Sequence, residues 1–196
     1  MMIILASKSP RRKELLENIG IKPLIIVSEA DENINETDPE KLVLELSSIK
    51  ADAVYKKIKE EGNPLLNKGD YILGADTVVY AEGKILGKPK DKEDARAMIR
   101  ALSGNVHSVF TGFTLIDHQG KHISESVETK VYVYEMSGEE IESYISSDEP
   151  YDKAGAYGIQ GLFGKYVEKI DGDYNNVVGL PVSAIYETIK MINQSE

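Results

Sequence analysis

The first twenty residues combine the features that a strand, a turn and a helix require. Apolar residues at 2–5 predict a strand, and apolar residues at 15, 16 and 19 predict an amphipathic helix that ends at Gly20. Between the two, Ser9 suits the helix N-cap, and Pro10 suits the first helical position, where no backbone N–H is needed. The chain therefore begins with a strand that leads directly into a helix.

The turn between this strand and helix is basic. Four cations share it, Lys8, Arg11, Arg12 and Lys13. The first thirteen residues contain no acid, although the formal net charge of the chain is -10. Cations oppose the dipole at a helix N-terminus, whereas free backbone N–H groups there favour anions. Together with the hydroxyls of Ser7 and Ser9, this pattern predicts a phosphate site; the alternative is a solvated basic turn.

The composition excludes several classes of protein. With 196 residues, 41% of them hydrophobic, the chain can bury a full core as one domain. Its pI of about 4.9 argues against a nucleic-acid or membrane-surface partner, which would need a broad basic face. The absence of cysteine excludes disulfides and thiolate catalysis. Since neither a signal-like segment nor a long apolar run is present, we expect a soluble cytoplasmic protein.

Hydrophobic periodicity predicts the order of the remaining elements. Strands are expected at 23–27, 71–80, up to 86, 108–117, 121–134 and 164–170, and helices at 39–61, 91–102, 137–147 and from 181 onward, with a loop at 62–69. Asp91 can cap one helix, and Ser137 with Glu140 forms a capping box for another. The alternation predicts a mixed α/β fold with a long mixed sheet flanked by helices, as a single domain, residues 1–196, with a cleft.

Asp76 is the carboxylate that most suggests chemistry, because it interrupts an otherwise apolar strand. A charge in that setting needs a partner or a metal. Asp76 is therefore a candidate metal ligand or base that activates water, and the alternative is an Asp satisfied by backbone amides. An acidic cluster, Glu29, Asp31 and Glu32, could supply a second carboxylate for a divalent cation such as Mg²⁺.

A distinctive segment occupies residues 149–161. Its glycines allow close backbone approach to a ligand, Asp152 and Lys153 bring opposite charges, and Gln160 offers an amide able to pair with a base edge. By themselves, Lys88 in a turn and Lys50 in the long helix are more typical of surface lysines. The three histidines, at 107, 118 and 122, lack metal-ligand spacing, and we assign them no role.

Six collinear segments resemble the Maf family of nucleoside triphosphate pyrophosphatases, also called septum formation proteins. They are LASKSPRRKELL (5–16), ADTVV (75–79), GKPKDKEDA (87–95), LSGNVHSVFTG (102–112), EPYDKAGAYGIQG (149–161) and GDYNNVVGLP (172–181). The resemblance implies a two-lobed fold related to inosine triphosphate pyrophosphatases, with the site in a cleft. It further implies hydrolysis of a nucleoside triphosphate to the monophosphate and pyrophosphate, dependence on Mg²⁺ or Mn²⁺, and a homodimer.

The resemblance also implies roles for individual residues. Phosphates would be bound by Ser7, Arg11, Arg12, Lys50 and Lys88. Asp76 would accept a proton from water and share a metal with Glu32, for which Glu29 and Asp31 remain rivals. Asp152 and Lys153 would contact the substrate. An Arg, a Thr and a Gln mark the pyrimidine class of the family and correspond to Arg12, Thr77 and Gln160, which favours dTTP and UTP as substrates.

Three alternatives remain open. The first is the same reaction on 7-methyl-GTP. The second is a nucleotide-binding regulator of septum formation whose hydrolysis is incidental, and the third is a phosphate-binding module without catalysis, which would leave Asp76 unexplained. The sequence does not distinguish nucleotide pool cleaning (house-cleaning) from removal of modified nucleotides or control of division.

Overall fold

The computed structural model describes residues 1–61 and 66–195, which form seven strands and six α-helices. The strands are β1 (Ile3–Leu5), β2 (Leu24–Ile25), β3 (Tyr71–Ala81), β4 (Lys84–Leu86), β5 (Val106–Ile116), β6 (His122–Val133) and β7 (Val167–Asp171). The helices are α1 (Pro10–Asn18), α2 (Pro39–Glu60), α3 (Lys92–Leu102), α4 (Gly138–Ile145), α5 (Tyr174–Val178) and α6 (Val182–Ser195). In the described residues, no helix is both long enough and apolar enough to cross a membrane.

All seven strands belong to one mixed sheet with the order β2-β1-β3-β5-β6-β7, and β4 pairs with β3. The pairings of β1 with β2 and with β3 are parallel, whereas β3 with β4 and β6 with β7 are antiparallel. The predicted mixed α/β class is therefore confirmed.

The chain divides into two compact units. The first contains Met1–Asp76, Thr111–Val127 and Gly179–Glu196, and the second contains Thr77–Phe110 and Glu128–Val178. Strands β3, β5 and β6 contribute residues to both. The single domain with a cleft stays a prediction.

In the first unit, α2 packs directly against two strand glycines. A β-carbon on Gly74 of β3 would overlap the carbonyl oxygen of Ser47, and one on Gly112 of β5 would overlap the backbone of Val43. Only glycine permits this close approach. The buried residues of α2 form one stripe, Val43, Leu46, Ser47, Lys50, Ala51, Val54 and Ile58. The close approach at Gly74 therefore determines which face of β3 packs against this stripe of α2.

The core of the second unit contains a cluster of aromatic rings centred on Phe163, whose side chain is fully buried. Its ring centroid lies 4.6 Å from that of Tyr157, 5.3 Å from that of Tyr144 and 5.8 Å from that of Tyr166. Such pairs of aromatic rings add stability to the fold in addition to that from burying their apolar surface. Residues 162–166, which form a 3-10 helix, are thereby anchored in the core.

Most local predictions are confirmed. The Asp91 side chain accepts a hydrogen bond from the Asp94 N–H, and Ser137 and Glu140 make both bonds of the capping box. Ser9 occupies the N-cap of α1, but its side chain makes no capping bond in the described structure. Ile19, predicted to pack, is 43% exposed because α1 has already ended.

Two local predictions need correction, and one helix was missed. The strand expected at 164–170 begins only at Val167, because residues 162–166 adopt a 3-10 helix instead. The strand expected at 23–27 is limited to Leu24–Ile25, and helix α5 was not predicted. Of the loop predicted at 62–69, residues 62–65 lie outside the described residues.

Candidate active site

Parallel pairing of β1 and β3 brings two predicted site segments together. Leu5 pairs with Leu73, and the Ala6 N–H donates to the Leu73 carbonyl at 2.8 Å. The basic turn follows β1 directly, and Asp76 lies three residues beyond Leu73. In sheets of this kind, ligands bind beyond the carboxyl ends of parallel strands. The register therefore places the predicted phosphate turn beside the predicted catalytic strand.

The guanidinium of Arg12 anchors this residue within the basic turn. Its Nε donates to the Gly179 carbonyl at 2.9 Å, and one terminal nitrogen donates to the Ala75 carbonyl at 2.8 Å and the Ser7 hydroxyl at 3.3 Å. Burial lowers the pKa of the guanidinium, against the opposing effect of Asp76. Because arginine titrates far above neutral pH, Arg12 remains a fixed cation.

Ser7 and the start of α1 complete this turn. The Ser7 hydroxyl accepts the Ser9 N–H at 3.2 Å in addition to its bond from Arg12. Arg11 is half-buried on the first turn of α1. The Ser9 side chain makes no capping bond in the described structure, and the N-terminus of a helix favours anions.

Asp76, Lys50 and Glu32 form one cluster. The Lys50 Nζ lies 2.6 Å from Asp76 Oδ1 and 3.0 Å from Glu32 Oε2. The side chains of Lys50 and Asp76 are 11% and 15% exposed, whereas that of Glu32 is 51% exposed. Two carboxylates thus converge on one nearly buried ammonium.

Two acids of the predicted acidic cluster, Glu32 and Asp31, make different contacts. Glu32 reaches Lys50, whereas the Asp31 carboxylate accepts the Asn33 N–H at 3.1 Å. The structure therefore brings Glu32, rather than Asp31, to the cation that Asp76 contacts.

Lys50 is not the surface residue that its isolated position in the sequence suggested. It is 8% exposed and lies on the buried stripe of α2. Since Gly74 and Asp76 face the same side of β3, the close approach of α2 at Gly74 carries Lys50, one turn beyond Ser47, to Asp76. Charged residues are almost never buried without a partner.

The other predicted residues belong to the second unit. Thr77 follows Asp76 in β3 and is half-buried. Lys88 is exposed in the turn after β4, and the adjacent Gly87 carbonyl accepts the Gly155 N–H at 3.0 Å. Gly155 has φ 66°, and a β-carbon there would lie 2.9 Å from a methyl group of Val79. The turn of Lys88 is therefore bonded to the glycine-rich segment.

Within that segment, the charged side chains bond to each other and to the backbone. The Lys153 Nζ donates to the Glu149 carbonyl at 2.7 Å and pairs with the exposed Asp152 carboxylate. Gln160 is exposed in a turn closed by a bond from the Gly161 N–H to the Gly158 carbonyl at 3.2 Å. These residues thus share one loop, which presents Gln160 to solvent.

The arrangement agrees with a comparison of the sequence with known families. The model of the Maf-like proteins matches residues 2–192. The chain belongs to the Maf family. The resemblance predicted from the six segments is confirmed.

Two Maf relatives with similar sequences carry the same enzymatic name. A dTTP/UTP pyrophosphatase of Thermoanaerobacter sp. (strain X514) is 48% identical over 191 residues, which cover 97% of this chain and 96% of the relative. That of Carboxydothermus hydrogenoformans is 50% identical over 191 residues, covering 97% and 98%. The Ham1 protein of Staphylococcus aureus has a similar fold, with a TM-score of 0.54, 12% identity and full coverage of both chains.

The donor set fits a divalent cation that is delivered with a nucleotide. In the described residues, no group of three or more His, Asp or Glu side chains could hold a metal alone. Mg²⁺ usually takes one or two carboxylates and completes its shell with phosphate oxygens and water. Asp76 and Glu32 already converge on a cation, the Lys50 ammonium, and could supply those two carboxylates.

A cavity of about 540 Å³ lies elsewhere in the first unit, between the β5–β6 turn and α6. His118, Gln119, Thr188 and Met191 are among its described lining residues, which include none of the predicted site residues. Its described lining residues include both acidic and basic side chains.

His107 is a buried residue whose importance sequence reasoning missed. It is 3% exposed, its Nε2 lies 2.7 Å from the Tyr157 hydroxyl, and the two rings meet edge to face at 5.2 Å. Burial lowers the pKa of His107 to about 4. Its flanking residues, Val106 and Ser108, did not indicate this burial, although the alternation of β5 places His107 on the same face as buried Val109.

We expect His107 to make folding sensitive to acid. An unfolded histidine takes up a proton near pH 6.5, whereas the folded His107 does so only near pH 4, so stability falls as the pH drops between these values. We expect the unfolding free energy of wild type, measured with urea, to fall between pH 7 and pH 4.5 by about 2 kcal/mol more than that of His107→Gln. The glutamine keeps a hydrogen bond but does not titrate. His118→Gln, in a half-exposed turn, serves as the control. Equal losses in wild type and His107→Gln would disprove this role.

Proposed function

We propose that this protein is a nucleoside triphosphate pyrophosphatase that hydrolyses dTTP and UTP to the monophosphate and pyrophosphate. The observation that carries the proposal is the convergence of Asp76 and Glu32 on buried Lys50, beside the turn of Ser7 and Arg12. Relatives that are 48% and 50% identical over nearly the whole chain, named dTTP/UTP pyrophosphatases, support it.

In this proposal, the β- and γ-phosphates bind at the start of α1. The N-terminal amides of the helix and the side chains of Arg11 and Arg12 supply positive charge there. Lys50 and Lys88 balance further charge on the phosphate chain. Because Arg12 donates hydrogen bonds to Gly179, Ala75 and Ser7, its charge is oriented before substrate arrives, which lowers the cost of binding.

Asp76 acts on the water molecule. Its carboxylate accepts a proton while the water oxygen bonds to the α-phosphorus, and the bond from the α-phosphorus to the bridging oxygen breaks to release pyrophosphate. Lys50 holds the carboxylate in place at 2.6 Å. A divalent cation held by Asp76 and Glu32 would stabilise charge on the phosphate oxygens and lower the pKa of bound water.

Thr77 and Gln160 select the base. Thymine and uracil present an N3–H donor between two carbonyl acceptors, and an amide with a hydroxyl can complement this edge. An unmatched polar group in a binding site is costly, so cytosine should bind less well. The homodimer and the cytoplasmic location stay predictions.

Replacing Gln160 by alanine should weaken base selection more than catalysis. We expect the ratio of kcat/KM for dTTP over CTP to fall about tenfold, the effect of one hydrogen bond of about 1.4 kcal/mol. Steady-state kinetics with both substrates measure the ratio, and Gln119→Ala, at an exposed turn of the first unit, is the matched control. An unchanged ratio would exclude Gln160 from base recognition.

A substrate panel tests the proposed function. Pyrophosphate release is measured with dTTP, UTP, CTP, ATP, GTP and 7-methyl-GTP, with and without Mg²⁺ or Mn²⁺. Metal-dependent cleavage of dTTP and UTP is the expected result. Preference for 7-methyl-GTP would overturn the base assignment but keep the reaction, and nucleotide binding without any cleavage would favour the regulator of septum formation.

A further inference from the structure

Glu149 is a half-buried carboxylate that bonds to a segment well beyond it in the chain. Its Oε2 accepts the Leu162 N–H at 2.6 Å, and its Oε1 accepts the Phe163 N–H at 3.4 Å. The Tyr144 hydroxyl donates to Oε1 at 3.0 Å. One side chain therefore joins the start of the glycine-rich segment to its end.

The backbone is shaped to admit this carboxylate. A β-carbon on Gly161 would overlap the carboxyl group of Glu149, although Gly161 has φ -109°, which other residues adopt without strain. A β-carbon on Gly158 would lie 2.8 Å from Cε of Lys153, whose Nζ bonds to the Glu149 carbonyl. At both glycines, a β-carbon would displace the end of a neighbouring side chain, Lys153 at Gly158 and Glu149 at Gly161.

The anchor of Glu149 is itself rigid. Tyr144 is 4% exposed, and its hydroxyl contacts the Ala156 carbonyl at 3.2 Å as well as Glu149. Burial, and then the charge of Glu149, raise the pKa of Tyr144, so its hydroxyl remains a donor at neutral pH. Phe163, one of the two residues that Glu149 bonds through the backbone, is fully buried among aromatic rings.

In the chain, Gln160 lies between Glu149 and the two residues whose amides donate to the Glu149 carboxylate. The turn of residues 158–161 carries Gln160 and is followed at once by Leu162 and Phe163, whose amides bond to the carboxylate. Because Gln160 is exposed, its placement depends on the backbone of this turn. Displacement of a contact group by about 1 Å can reduce activity about a hundredfold.

We propose that Glu149 is a positioning residue for base selection: its carboxylate holds the turn that presents Gln160. This inference rests on the proposed function, since it states that Glu149 supports Gln160, the residue that selects the base. Glu149 itself contacts neither substrate nor metal in this scheme.

The first test compares Glu149→Ala with Glu149→Gln. The alanine variant removes the carboxylate's bonds to Leu162 and Phe163, directly after the turn, so the dTTP-over-CTP ratio of kcat/KM should fall about tenfold, through KM for dTTP rather than kcat. The glutamine variant can still accept the Leu162 N–H and should retain most of the preference. Glu168→Ala, at an exposed glutamate of the same unit, is the control. Retained preference in Glu149→Ala would overturn the proposal.

A double-variant cycle tests whether Glu149 acts through Gln160. In a Gln160→Ala background, Glu149→Ala should change the dTTP-over-CTP ratio less than twofold, because the group that it positions is already absent. If the two changes multiply instead, Glu149 affects base selection by another route and the proposal is wrong.

A second variant disturbs the same contact from the other side. Gly161→Ala suits the local backbone but displaces the Glu149 carboxylate, so it should lower the ratio as Glu149→Ala does, while Gly138→Ala, where a β-carbon meets open space, should not. Hydrogen exchange of the Leu162 amide should accelerate in Glu149→Ala and Gly161→Ala. Unchanged exchange and an unchanged ratio would refute the positioning role.

The two proposals fail in different ways. If wild type does not cleave dTTP or UTP, the proposed function fails, and faster exchange at Leu162 in Glu149→Ala would still show that Glu149 holds the turn. If wild type prefers dTTP and the Glu149 and Gly161 variants keep that preference, only the positioning role fails.

Discussion

Replacing Asp76 by asparagine is expected to lower kcat for dTTP hydrolysis about a thousandfold, within the range that a positioned proton acceptor contributes. Asparagine can still accept the hydrogen bond from Lys50, so the fold should persist while the base is lost. The measurement is pyrophosphate release at saturating dTTP and Mg²⁺, with circular dichroism to verify folding. Near-full activity with added Mg²⁺ would exclude Asp76 as the proton acceptor.

The acidic cluster offers matched controls for this experiment. Glu32→Gln should also reduce activity, because Glu32 shares the Lys50 ammonium with Asp76. Asp31→Asn and Glu29→Gln change exposed acids of the same segment and should leave kcat within about twofold, since surface charges act weakly. A loss in Asp31→Asn equal to that in Glu32→Gln would contradict the assignment of Glu32.

Replacing Lys50 by methionine is expected to lower the unfolding free energy by about 3 kcal/mol. This value is at the lower end of the range for breaking a buried ion pair, because Glu32 is half exposed. The change removes the cation at 2.6 Å from Asp76, which is 15% exposed and cannot recover full hydration. Urea unfolding at neutral pH measures the shift. Lys41→Met, whose exposed pair with Asp38 spans 3.9 Å, is the control and should cost less than about 1 kcal/mol.

Coupling distinguishes this ion pair from a simple packing effect. Lys50→Met should cost about 1–2 kcal/mol less in an Asp76→Asn background, since no charge is then left without its partner. Additive costs would show that Lys50 stabilises α2 by packing alone.

The elements that the sequence predicted well are those set by neighbouring residues. Asp91 and the pair Ser137 and Glu140 act within one helical turn, and the bonds that they make follow from that spacing. The turn between β5 and β6 is likewise local: the Asp117 carboxylate accepts the backbone N–H groups of Gln119 and Lys121. Local chemistry is therefore sufficient to predict them.

The burial of Lys50 could not be inferred from its neighbours alone, because it depends on Asp76, which is 26 residues away. A signal was nevertheless present, since Lys50 follows Val43 by seven positions and precedes Val54 by four, which places it on the apolar stripe of α2. A lysine on such a stripe indicates a buried acidic partner.

The strand predicted from Gly164 failed for a similar reason. Residues 162–166 contain β-formers, but they adopt a 3-10 helix, and the amides of its first two residues, Leu162 and Phe163, donate to the Glu149 carboxylate. A tertiary contact thus overrides local propensity. The same contact gives Glu149 the role that its sequence position did not reveal.

Hydrolysis in ¹⁸O-labelled water determines whether water attacks the α-phosphorus of dTTP. Mass spectrometry of the products should find one ¹⁸O atom in dTMP and none in pyrophosphate, with Asp76→Asn forming almost no labelled product. Label in pyrophosphate, or release of orthophosphate with dTDP, would exclude attack at the α-phosphorus.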